Sequence, residues 1–240
     1  MLKSKSVLFA AVAAVGFVFG AFAVPPVTDH LVVALDAADT SSLTLNGDVV
    51  NEWRSSVGSY SLKAGAIAYP EAPFQKNDVT LVTENGRQGL RFSHYTKPNR
   101  DNTNSDAVFA LMSFGDGVRV SAKTFFFVTR QIDSKYHGAI MGGDPSTHNE
   151  RLIRNDGVAY EWKTDNYSRV LINGEETLSF ASHGGTVNPF VLTATANSGH
   201  TIETIGASYL LNKGEPTASY AVYDKCVIHE ILMYDTVLTD

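Results

Sequence analysis

Cysteine is nearly absent from this chain: Cys226 stands alone among 240 residues, so no intramolecular disulfide framework can staple the fold. Runs of Lys or Arg are also missing, and the formal net charge is -6. That balance argues against nucleic acid as a partner and against a basic membrane-surface patch. Helical periodicity is lacking too, because Gly and Asn punctuate the chain too often for an amphipathic helix to run. No G-x-S-x-G, H-E-x-x-H or phosphate-binding loop occurs. There is no internal repeat and no linker that would divide the chain.

The residues that are present suit one globular β domain. A hydrophobic share of 44% with 10% aromatics is enough to build a core. The first segment stands outside it. Met1 to Ser6 is basic through Lys3 and Lys5, Val7 to Phe22 is apolar, and Ala21-Phe22-Ala23 supplies small residues for cleavage. Residues 1–23 therefore read as a secretory signal peptide. The apolar run is short for a membrane span, and no Cys near the cleavage point offers a lipid attachment. The expected mature domain is residues 24–240, with no integral membrane segment, located in the periplasm, at the cell surface or outside the cell.

Within that domain, Leu31 to Leu35 is an apolar run that breaks at Asp36 into a turn rich in Asp, Ser and Thr. This predicts a buried opening strand followed by a polar corner. Asn46-Gly47-Asp48 is a tight-turn signal, and Trp53 is a side chain for the core. Further strands are predicted over Val79–Thr83, Gln88–Phe92, Ala107–Phe114, Thr124–Gln131 and Gly138–Met141. Gly157–Trp162, Arg169–Ile172, Phe190–Ala196, Ile202–Leu211 and Tyr220–Tyr234 follow. The triple aromatic Phe125-Phe126-Phe127 predicts a strand covered on both faces. Asn173-Gly174 predicts a hairpin joining Leu171-Ile172 to Glu175–Leu178. Cys226 lies in an apolar run and is expected to be buried and inert. Many short strands at this spacing mean an all-β sandwich, jelly roll or barrel. The terminal runs, Leu31–Leu35 and Val227–Tyr234, are expected to pair and close it.

The opening LVVALDAAD followed by Thr40-Ser41-Ser42-Leu43 and Trp53 resembles the start of bacterial laminin-G-like domains. The C-terminal Ile228-His229-Glu230-Ile231-Leu232-Met233-Tyr234-Asp235 resembles their closing strand. The resemblance implies a two-sheet antiparallel jelly-roll sandwich of the concanavalin-A-like lectin/glucanase group. It implies a secreted or cell-surface recognition or adhesion domain whose partner is a glycan or an extracellular protein. A carbohydrate-active enzyme of the same fold and a self-assembling surface structural protein are the alternatives. The sequence also departs from the pattern. Arg54, Ser55, Ser56 and Val57 stand where an acid is common after the Trp, and Ser93-His94 replaces an Asp-Gly pair.

Retaining glycosidases of this kind need two carboxylates about 5 to 5.5 Å apart on one strand face. Glu161 and Asp165 are the nearest approach, and a turn follows them; Glu175-Glu176 are adjacent and face opposite sides. No catalytic residue is assigned. For calcium, the oxygen-rich candidates are Asp36 and Asp39 in the corner, with Asp101 and Asp106 in the polar loop KPNRDNTNSD. Side-chain capping of the corner's own N–H groups is the alternative for Asp36 and Asp39. For a sugar, stacking aromatics and hydrogen-bonding groups concentrate in His148, Asn149, Arg151, Tyr160, Trp162, Asn166, Tyr167 and Arg169. Tyr160 and Trp162 share one strand face, which is either the core or the ligand side.

Overall fold

The computed structural model describes residues 27–64, 75–96, 107–115, 117–131, 138–143, 152–154, 167–176, 188–211, 218–223 and 226–239. Within them the chain is all-β, and the one helical piece is a 3-10 turn at Thr40–Ser42. The strands run β1 (Leu31–Asp36), β2 (Leu43–Asn46), β3 (Val49–Arg54), β4 (Ser61–Ala64), β5 (Gln75–Asn77), β6 (Thr80–Glu84) and β7 (Arg87–Phe92). Then come β8 (His94–Thr96), β9 (Ala107–Ala110), β10 (Met112–Ser113), β11 (Val120–Gln131), β12 (Gly138–Gly142) and β13 (Leu152–Arg154). The last are β14 (Tyr167–Ile172), β15 (Phe190–Ile202), β16 (Thr204–Ile205), β17 (Ala207–Leu211), β18 (Ala218–Tyr223) and β19 (Cys226–Tyr234). No helix among the described residues is long and apolar enough to cross a membrane.

A 14-stranded antiparallel sheet carries the fold in the order β13-β12-β16-β10-β4-β3-β6-β7-β19-β11-β15-β14, with β1 on β19 and β2 on β3. Its curl follows from connectivity. β15 lies second from one end of the order, and β16, third from the other end, begins one residue after β15 stops. The single residue Glu203 cannot span an open sheet, so the two ends must come together. The inside of the curl is apolar: Trp53, Leu62, Leu90, Phe92, Met112, Phe125, Phe127, Ile140, Met141 and Met233 are all buried in one cluster. Gly206 shows how closely it closes, because a Cβ there would overlap the Phe92 ring of β7. Glu203 itself is buried and held by Arg119 at 3.2 Å, fixing the corner.

The terminal strands pair as the sequence requires, with Leu31 opposite Tyr234, Leu35 opposite Ile231 and Asp36 opposite Glu230. The seam is sealed where the Tyr234 hydroxyl donates to the Val27 carbonyl at 3.0 Å and His30 Nδ1 meets Asp235 Oδ1 at 2.9 Å. Thr124 Oγ1 donates to Thr236 O and accepts from Leu238 N, tying down the segment beyond β19. Cys226 is buried as expected. The turns at Gly47-Asp48, Asn85-Gly86 and Asn173-Gly174 all form, the last two with both central residues at positive φ.

Three expectations are corrected. Phe126 and Val128 are half-buried while Phe125 and Phe127 are fully buried, so one face of β11 packs into the core and the other is only partly covered. The Asn173-Gly174 turn forms with its Ile172–Glu175 bridge, Leu178 lying outside the described residues, and β14 also pairs with β15, whose Val191 bonds both the Asn173 backbone and its side-chain amide oxygen. The polar Asn197–His200 stretch continues β15 instead of ending it, because Ser121 and Ala122 of β11 pair with Thr201 and His200 beyond a bulge. Ala107–Phe114, Ile202–Leu211 and Tyr220–Tyr234 each divide into shorter strands rather than running unbroken. Their parts belong to different neighbours, so pairing overrides the continuous apolar pattern.

Candidate functional site

One side of β19 is shared by two strands. β7 pairs with Cys226–Ile228 and β1 pairs with Glu230–Tyr234, leaving His229 where one partner gives way to the other. On the opposite side, β11 skips His229, since Val128 faces Glu230 and Thr129 faces Ile228. This is a β-bulge, which re-aims side chains and interrupts a ladder. The Ala37 N–H reaches over to the His229 carbonyl at 2.9 Å as β1 departs.

Strand alternation sets what surrounds the bulge. On β7, Leu90 and Phe92 are in the core cluster, so Arg87, Gly89 and Arg91 share the outer face. Gly89 is there because nothing larger fits: a Cβ would lie 2.5 Å from Val227 Cγ1 and 2.7 Å from His229 Nδ1. The His229 ring is buried in the space the missing side chain leaves. Its Nδ1 lies 2.7 Å from the Gln88 carbonyl. A carbonyl only accepts, so Nδ1 carries the proton and Nε2 is left as an acceptor. Nε2 is buried and finds no donor among the described residues, nor does the buried Arg91 Nε–H find an acceptor.

Charged groups cross four strands here. Glu84 of β6 receives two hydrogen bonds from Arg130 of β11, Nε at 2.8 Å and Nη2 at 2.7 Å, and a third from Arg91 at 2.9 Å. Burial alone would raise the Glu84 pKa, but the two guanidinium groups outweigh it and hold the carboxyl below its usual value. Glu230 takes the opposite course. Burial, with the Asp36 carboxylate across the β1–β19 ladder, raises its pKa against the pull of Arg87. Burial also lowers the His229 pKa; Arg87 and Arg130 push the same way, and the Gln88 carbonyl and Glu84 oppose them. Burial thus disfavours the imidazolium form.

The same outer face turns apolar along β11 and β19. Phe126 pairs directly with Leu232, both half-buried, and Phe126 meets the Tyr234 ring edge-on at 5.8 Å and 79°. Val128, also half-buried, lies between this strip and the arginines. The arrangement sets guanidinium donors beside an apolar strip on paired strands.

The residues singled out from sequence are distributed differently. His148, Asn149, Arg151, Tyr160, Trp162 and Asn166, with Asp101 and Asp106, lie outside the described residues. Tyr167 is buried in the core and meets His200 edge-on at 5.1 Å, because a bulge between Tyr167 and Arg169 turns both Tyr167 and Val170 inward. It has no free face for a sugar, which corrects that expectation. Arg169 is half-buried, with Nε 3.2 Å from Glu176. Asp36 Oδ1 accepts from the Ala38 N–H, and Asp39 Oδ1 from the Ser41 N–H and hydroxyl. Both carboxylates thus cap their own corner, and no group of three His, Cys, Asp or Glu among the described residues could hold a metal ion.

Arg87, Arg91, Arg130, His229 and Glu84 escaped the sequence reading. A partial signal was present: Arg87-x-Gly89-x-Arg91 overlaps the predicted strand Gln88–Phe92, and starting that strand one residue earlier places two cations on one face with a gap between them. Compared with protein-family models, curated proteins and solved structures, the chain matches none.

Proposed function

We propose that this chain is a secreted or cell-surface, non-catalytic recognition domain with a laminin-G-like, concanavalin-A-like jelly-roll sandwich, and that it binds glycan. The curled antiparallel sheet and the pairing of β1 with β19 support the sandwich reading, and the leader-like residues 1–23 support export. One observation carries the binding function: the outer face of β7, β19 and β11 sets partly exposed guanidinium groups beside the Phe126–Leu232 strip. A pyranose has the matching character, with hydroxyls at its rim and C–H groups on its faces.

A polysaccharide pull-down with the purified protein tests this. Retention on at least one polymer, lost in Phe126→Ala while the thermal transition is kept, is the expected result. Retention lost instead in Trp162→Ala places the ligand on the segment singled out from sequence. No retention on any polymer refutes the recognition reading for glycans.

A further inference from the structure

We propose that the glycan this face takes is an anionic polysaccharide, bearing carboxylate or sulfate groups, and that Arg87 and Arg91 hold those groups. The inference rests on the recognition reading above and adds the ligand's charge. Formal charges around His229 nearly cancel, but exposure does not. The Arg87 and Arg91 side chains are 41% and 43% exposed, while Glu230 and Glu84 are 24% and 20% exposed. Solvent therefore meets guanidinium first, with the carboxylates sunk beneath.

Those guanidinium groups have capacity to spare. Arg87 reaches Glu230 at 3.5 Å, the limit of a hydrogen bond. Arg91 shares Glu84 with Arg130, which already binds that carboxylate through two nitrogens. A guanidinium fork matches the paired oxygens of a carboxylate or sulfate.

Spacing points to a polymer instead of a single ion. Arg87 and Arg91 are four residues apart on one strand, roughly 14 Å between Cα atoms at about 3.4 Å per residue. Gly89 places no side chain between them, and Gly89, Val227 and His229 are all buried there, so the guanidinium groups are what this stretch presents to solvent. One small anion cannot fill that span, whereas a chain with charge at intervals can. The Phe126–Leu232 strip alongside supplies apolar surface that a sugar ring uses and a carboxylate-bearing peptide backbone does not.

Titration of the full chain with a polyuronate, a sulfated polysaccharide, a neutral glucan and poly-glutamate distinguishes the outcomes. Binding to one or both anionic polysaccharides is expected, weakening several-fold as salt rises and screens the contact. Arg87→Ala should weaken it roughly tenfold, the loss of one charge-assisted contact. Arg87→Lys should restore part of that loss, and the thermal midpoint should hold. The polyuronate and sulfated arms separate the two sources of the anion. Binding to neutral glucan alone overturns the inference and leaves the recognition reading standing. Equal binding of poly-glutamate, or an Arg87→Ala protein that binds anionic polysaccharide undiminished, overturns it as well. If no polymer binds at all, the recognition reading falls with it.

Discussion

β7 meets a glycine contact on each of its faces, and the two differ in what the glycine yields to. On the inner face, Phe92 presses onto the backbone of Gly206, joining one part of the curled sheet to another. On the outer face, Gly89 yields its side-chain space to Val227 and to the imidazole of His229. Inside, the contact is apolar, and Gly206 has φ +87, where an L side chain is strained whatever the room. Outside, Gly89 has no positive φ, its neighbours are the buried Val227 and His229 side chains, and His229 carries a buried acceptor with no donor among the described residues. The inner contact fixes the fold. The outer one keeps a polar site compact without making the fold depend on it.

That comparison can be broken by substitution. Gly206→Ala should cost most, about 3 kcal/mol or more, combining backbone strain with overpacking against Phe92. A loss below 1 kcal/mol in denaturant titration would mean that the curl does not close there. Gly89→Ala should cost about 1–3 kcal/mol as Val227 and His229 move. In a double-mutant cycle, His229→Ala should recover part of that loss; additivity would show that the ring does not fill the glycine's space. Glu84→Gln comes next, at about 2 kcal/mol, because it weakens charge-assisted hydrogen bonds from two arginines. Retention of wild-type stability there would reduce the cluster to a solvated ion pair.

The smallest effect is in pH. The folded His229 pKa is lowered, so its contribution to stability is present above the ordinary imidazole value and is lost as pH falls through the folded one. Glu230 acts in reverse: its raised pKa favours folding below the ordinary carboxylate value and loses that contribution as pH rises through the folded value. Thermal midpoints of wild type should decline on acidification from neutrality, and His229→Gln should flatten that decline. An unchanged slope would show that the ring is not kept neutral by burial.

Much of the frame was legible because its signals are local or terminal. Asn-Gly and Gly-Asp turns, alternating strands and the apolar terminal runs each speak through a few adjacent residues. Asp36 and Asp39 were legible as cappers for the same reason, since their partners are two residues away. The outer-face site was hidden because its members come from four strands and meet only through register: Glu84, Arg91, Arg130 and His229 are neighbours in no sequence window. Phe126 misled because three consecutive aromatics look alike in sequence, while pleating sends the middle one to the other face. Tyr167 misled because a bulge cannot be counted from the residues that form it.

The placement of β19 has a kinetic consequence. It is the last strand of the sheet in chain order, yet it lies in the interior, with β7 and β1 along one side and β11 along the other. A chain emerging from its N-terminus therefore makes β1, β7 and β11 long before the strand that unites them. Until then their edges stand open to other chains, and the closing contacts span nearly the whole sequence. Folding of this kind is slow and prone to aggregation, and a nascent chain kept extended until β19 arrives avoids that hazard.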